Sequence, residues 1–238
     1  MNVTRMMAIF EKDLKEFMKN MMLFTSVLIP VLMAVFFSRV GIGAATGAEG
    51  EMPPEILGIL AGVVFSAVIF SSVMTMIAEE NEKDTLRGLL QSPATIIDII
   101  LGKSMVVTLM TIISLVASIM IIGPENYWTL ENIISLVLTG LFFLNMGIGL
   151  GLVVKSVATT SVYIIPIMFI FGFTPYIEML ITDPDSIAIK IAEYFPIYQH
   201  MFALEGNAGA MEFIILAAWV AVSFLLVLWA FNKRKNDE

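Results

Sequence analysis

Long, nearly uncharged apolar runs constrain this chain more than any other feature. They are Met21 to Val40, Ile56 to Ile77, Ser104 to Ile122, Ile133 to Val154, Val157 to Phe173 and Met211 to Phe231. Each falls within the roughly 17–25 helical residues that cross a hydrocarbon core of about 30 Å. A soluble helix of this length carries one apolar stripe, whereas these runs are apolar all round. They do not alternate as the strands of a membrane barrel do. The expectation is an all-α membrane protein, one transmembrane domain over residues 1–238 with six transmembrane helices.

Composition narrows the function classes. Hydrophobic residues make up 58% of the chain and charged residues 14%, against about 25% charged in soluble domains, so a water-soluble globule is excluded. A net charge of −8 argues against nucleic-acid binding. The absence of cysteine removes disulfides, thiolate metal sites and cysteine nucleophiles. With His200 the single histidine, a two-histidine zinc motif cannot be built, and no metal site is expected.

Lys and Arg set the orientation. With six spans, the basic residues at 5, 12, 15, 19, 83, 87, 103, 155, 233, 234 and 235 share one side, leaving Arg39 and Lys190 on the other. The positive-inside rule then places both termini in the cytoplasm. No short cleavable apolar segment stands apart from the first span, so no signal peptide is expected.

The segments outside the spans carry the functional signals. Residues 6–20 read as an amphipathic interfacial helix, with Met7, Phe10, Leu14, Phe17 and Met18 recurring at three and four. Glu11, Lys12, Asp13, Lys15, Glu16 and Lys19 fill the other face. A plain cytoplasmic extension of the first span is the alternative. Gly41 to Glu55, rich in Gly and Ala and carrying Pro53 and Pro54, reads as a flexible outer connection. Residues 174–210 mix short apolar patches with Pro175, Pro184, Pro196 and the aromatics Tyr176, Tyr194, Phe195 and Tyr198. Too broken to span, this stretch suits short re-entrant or interfacial helices on the outer face.

Between the second and third spans, residues 79–93 read EENEKDTLRGLLQSP. Asp84 or Thr85 can cap a short helix on which Leu86, Leu89 and Leu90 share a face, and Ser92-Pro93 ends it. Thr95 and Asp98 have the spacing of a capping box for the next helix. A leucine-faced, charge-flanked helix held between two spans is a docking element for a cytosolic partner. The alternative is a hairpin whose leucines pack on its own membrane domain.

Glu80-x-Glu82-x-x-Thr85-Leu86, then Leu89-Leu90-x-Ser92-Pro93 and Gly102-Lys103, resembles the membrane subunits of ABC-2 type exporters. The Glu11 to Lys15 opening, six spans and a broken outer segment before the last one extend the likeness over nearly the whole chain. Asp84 stands where that family more often has glycine. The resemblance implies that residues 79–93 form a coupling helix seated in a cleft of a separate ATPase subunit. Leu86, Leu89 and Leu90 would then anchor in an apolar groove, with Glu80, Glu82 and Arg87 as rim contacts. It further implies two ATPase copies binding ATP and Mg, a second permease chain in a homodimer or heterodimer, and a prokaryotic plasma membrane.

The chain itself offers little chemistry. Gly102-Lys103-Ser104 resembles the end of a phosphate-binding loop, but the first glycine of that motif would fall at Ile97, so no ATPase activity or cofactor is expected here. Lys103 reads as a cytoplasmic anchor below the third span. Glu79-Glu80 lacks the arginine that a paired-glutamate intramembrane protease needs, and His200, among Tyr194, Pro196 and Tyr198, reads as a surface or interfacial residue. The spans hold two charges, Arg39 and Glu212, both at outer ends, which disfavours ion-coupled transport. Gly58/Gly62 and Gly147/Gly151 have the spacing of close helix contacts, read here as packing within the chain. The leading expectation is an ATP-driven permease for a hydrophobic or amphipathic substrate such as a peptide, drug or lipid-linked molecule. Alternatives are a membrane enzyme or protease using Glu178, Asp183 and His200, or a non-transporting membrane anchor of an ATPase.

Overall fold

The structure is a computed structural model that describes residues 3–40, 52–83, 96–124, 127–181, 183 and 185–237. All regular elements among them are helices. They are α1 (Val3–Lys19), α2 (Met21–Val40), α3 (Pro54–Glu82), α4 (Ile96–Ile122) and α5 (Leu130–Val153). After these come α6 (Val157–Gly172), the short α7 (Tyr176–Leu180), α8 (Ile187–Ala192) and α9 (Pro196–Leu204), and last α10 (Ala210–Asp237).

Local sequence explains most helix ends. Asn20 separates α1 from α2, and its Oδ1 accepts from the amides of Met22 (3.1 Å) and Leu23 (3.4 Å), capping α2. Pro54 opens α3 at a position where a helix has no use for an amide hydrogen. Thr129 caps α5 by accepting from the Asn132 amide at 3.2 Å, and Ser186 caps α8 at Ile189. Gly123 and Gly206, at φ of 67° and 71°, end α4 and α9 in the left-handed region that glycine tolerates.

The bundle is built around α3, which is buried along almost its whole length by α2, α4, α5, α6 and α9. Its centre, Val64–Phe70, is π-helical. The widened turn lies against Gly140 and Gly147 of α5. A Cβ on Gly147 would come 2.4 Å from Val73 and 2.7 Å from the Phe70 carbonyl, and one on Gly151 would sit 3.2 Å from Ile77 and Met74. Gly58 packs on Pro175 and Met201, and Gly62 on Gly172. These glycines therefore serve contacts within the chain, as their spacing predicted. The outermost helices α2 and α10 keep large apolar side chains exposed, including Leu32, Phe36, Phe224 and Leu225, as a lipid-facing surface requires.

Five helices are long and apolar enough to cross a membrane: Met21–Val40, Pro54–Glu82, Ile97–Ile122, Leu130–Val153 and Ala210–Arg234. The expected fifth span, Val157 to Phe173, is a shorter apolar helix of eleven α-helical residues followed by five π-helical ones. Pro166 precedes the π turn and removes one ladder donor. The second and third expected spans are ends of longer helices, since α3 runs on to Glu82 and α4 begins at Ile96. Residues 174–210 form α7, α8 and α9, matching the broken pattern of that segment.

Three placements correct the sequence reading. Asp13 was expected on the charged face of α1, yet it is fully buried together with Phe17, while Met7 and Met18 are exposed. Lys103 was expected as an anchor in the interface, but it lies inside α4 with 2% of its surface exposed. His200, expected at the surface, is fully buried.

Candidate functional site

The last turn of α3 ties five other helices together. Successive helical residues point about 100° apart, so Glu79, Glu80, Asn81 and Glu82 fan out in four directions. Glu79 pairs with Lys83 one turn on. That hydrogen bond, with the charge attraction behind it, holds the Lys83 ammonium above its usual range. Glu80 Oε1 lies 2.8 Å from Lys103 Nζ of α4, which also donates to Asp13 Oδ2 of α1 at 3.0 Å. Asn81 Nδ2 donates to the carbonyls of Gly151 (3.1 Å) and Val154 (2.9 Å) at the end of α5. Its Oδ1 accepts from Arg234 Nη1 of α10 at 2.7 Å. Glu82 Oε2 accepts from the Val157 amide at 2.7 Å, so a carboxylate sits on the N-terminus of α6, where the helix dipole favours it.

The ion cluster of Asp13, Lys103 and Glu80 is the most buried part of this collar. All three residues are at most 7% exposed. Lys12 lies 3.9 Å from Asp13 Oδ1 at the open side and 3.7 Å from Glu16. Removing charges from water is costly, and such a group survives only when each charge keeps its partners. The cluster therefore locks α1 to the ends of α3 and α4. Phe10 and Leu14 pack half-buried on the core beside Phe17, so these three residues fasten α1 to the bundle. A cavity of about 610 Å³ lies next to the cluster, with Lys12, Glu16, Lys19, Glu79 and Lys83 on its walls.

Lys83 follows the collar directly, and the described residues resume at Ile96, where α4 begins. Thr85, Leu86, Arg87, Leu89, Leu90, Ser92 and Pro93, together with Thr95 of the capping pattern, lie outside the described residues. Glu80 and Glu82 are both committed to bonds within the bundle, to Lys103 and to the α6 amide. Sequence reasoning missed Asp13, although Phe10, Asp13, Leu14 and Phe17 share one helical stripe. No local signal marks the pairing of Glu80 with Lys103.

At the far end of α5, His200 Nδ1 is 2.7 Å from Ser135 Oγ and Nε2 is 3.5 Å from Tyr127 OH. Asp183 is exposed and its Oδ1 accepts from the Asp185 amide, an environment unlike that of buried His200. Glu178 falls in α7.

Five helices long and apolar enough to cross a membrane, joined at one end by a polar collar around the central helix, define a multi-span helical membrane protein. The model of the ABC-2 family transporter proteins matches residues 53–231, and the chain belongs to that family. It is a multi-pass membrane permease of an ABC transporter, and the family works together with an ABC ATPase. Members are generally the non-catalytic membrane component. No curated protein matches the sequence.

Proposed function

We propose that this chain is the permease of an ATP-driven exporter, with six spans, both termini in the cytoplasm, and residues 79–93 as the element that engages the ATPase. The observation that carries this reading is the collar at the end of α3. A push on the 84–95 segment acts on α3 and α4 directly, and through buried or charge-assisted bonds it reaches α1, α5, α6 and α10. Bonds involving charged groups are stronger than neutral ones, so the helix ends move together. Rigid-body displacement of packed helices is an established way to change the access of a central pathway.

The substrate in this reading is hydrophobic or amphipathic, since the middle portions of the five long apolar helices carry no charge. Two ATPase copies, holding ATP and Mg, act on a pair of permease chains, and the membrane is the plasma membrane of a prokaryote. Replacing both Leu89 and Leu90 with Asp is expected to abolish co-purification with the ATPase while membrane insertion stays at the parental level. A complex recovered in undiminished yield would overturn the coupling assignment.

A further inference from the structure

α9 is held to the first turns of α5 by hydrogen bonds whose direction can be worked out. Ser135 Oγ donates to the Asn132 carbonyl at 2.9 Å. With its single hydrogen used there, Ser135 accepts from His200 Nδ1–H at 2.7 Å. His200 Nε2 is then the acceptor for Tyr127 OH, 3.5 Å away. Tyr127 is itself fixed to α5, because its carbonyl accepts from Asn132 Nδ2 at 2.9 Å. A neutral imidazole satisfies every position in this chain. A second ring proton takes away the acceptor of the Tyr127 hydroxyl hydrogen and places a positive charge in a fully buried seam.

Among the described residues, no carboxylate bonds to the His200 ring to receive that extra charge. The elements packed against α9 are α3, α5, α10 and the π-helical end of α6. Their titratable groups near this end are Glu55 of α3, Glu131 of α5 and Glu212 of α10, with Glu193 and Glu205 flanking α9 and Tyr198 on it. Glu131 and Glu205 are exposed, and Glu212 accepts from the Gly209 amide. Among the described residues the bonds of His200 go to Ser135 and Tyr127 alone. Burial pushes its imidazole down to about 3. The seam around it is loosely satisfied, since Asn132 Oδ1, Thr139 Oγ1 and Gln199 Oε1 are buried without a hydrogen-bond partner.

We infer that His200 is an acid-released clasp, which in its neutral form holds α9 against α5 and on taking up a proton frees α9 from the bundle. Ser135 and the collar lie at opposite ends of α5, about 24 Å apart at 1.5 Å per residue. The clasp is therefore at the outer face, a placement that rests on the sidedness proposed above. The sign follows from linkage. Opening restores an ordinary imidazole near 6.5, so the open form binds the proton more tightly and acid favours it. From pH 7.5 to pH 5 the open fraction rises about 30-fold, while it is small.

The absence of native cysteine makes the test direct. Ala203 of α9 is 3% exposed, so an Ala203→Cys thiol reacts with a maleimide only when α9 lifts. Labelling in open membrane sheets, divided by that of the exposed Asn207→Cys, is expected to rise about 30-fold between pH 7.5 and pH 5. In a His200→Asn background, which keeps a donor toward Ser135 but cannot titrate, the ratio stays flat. A flat ratio with His200 present, or an equal rise with Asn, overturns the clasp. Met201→Cys, also buried, repeats the measurement at a second position. Failure of an impermeant reagent to reach Asn207→Cys from outside intact cells overturns the sidedness alone.

Discussion

Lys103→Met is expected to destabilise the bundle by about 3–5 kcal/mol, because it strands two buried carboxylates that share one ammonium. The loss should appear as a large drop in the thermal midpoint of the detergent-solubilised chain and a low yield of monodisperse protein. The partner substitutions make the cause testable. Adding Asp13→Leu and Glu80→Met to Lys103→Met removes the stranded charges, and replacing a whole buried ion group by apolar residues of similar volume is often close to neutral. The triple variant should recover most of the lost stability yet uncouple α1 from α3 and α4. Its signature is a stable chain whose partner ATPase no longer responds to substrate. A single variant that melts like the parent, or a triple variant no better than the single, would contradict the role given to the cluster.

Gly62→Ala is the second large effect. A Cβ on Gly62 would lie 1.8 Å from the Gly172 carbonyl oxygen and 2.7 Å from its carbon. Both obstacles are backbone, so no rotamer change relieves the clash. The crossing is tight from the other side too, where a Cβ on Gly172 would meet Ser66 Oγ at 2.7 Å. Ser66 Oγ donates to the Gly62 carbonyl at 2.6 Å, inside the π-helical stretch. Overpacking a well-filled core costs about 1–3 kcal/mol even when side chains can give way, and here α6 itself must move. That movement pulls Val157 away from Glu82, so the damage reaches the collar. Gly58→Ala is the control, since its Cβ would come no closer than 3.2 Å to a proline ring carbon. Equal thermal midpoints for Gly62→Ala and Gly58→Ala would contradict the close crossing.

Much of the architecture is legible in the residues because a bilayer leaves few choices. Apolar runs of spanning length must become helices, and five of the six expected runs are long apolar helices here. The run at 157–173 was at the lower limit of length, and Pro166 with Gly172 explains why its end adopts a π turn. In α1, Phe10, Leu14 and Phe17 pack on the core. Asp13 has the chemistry of the polar face, yet its spacing from Phe10 and Phe17 puts it on the packed stripe. Contacts remote in sequence are a different matter. Lys103 meets Asp13 from 90 residues away, and His200 meets Ser135 from 65. No periodicity encodes such pairs, which exist only once the helices have been assembled. The loop that most resembles the exporter family, Thr85 to Pro93, lies outside the described residues, and its meaning rests on the collar that frames it.

A collar end of α3 that faces an ATPase is within reach of site-specific capture. A photo-crosslinking side chain placed at Leu89 in membranes that contain the cognate ATPase should form an adduct with that ATPase, whereas the same group at Asn207 should not. Adducts at Asn207 alone, or none at Leu89 with the ATPase present, would contradict the account.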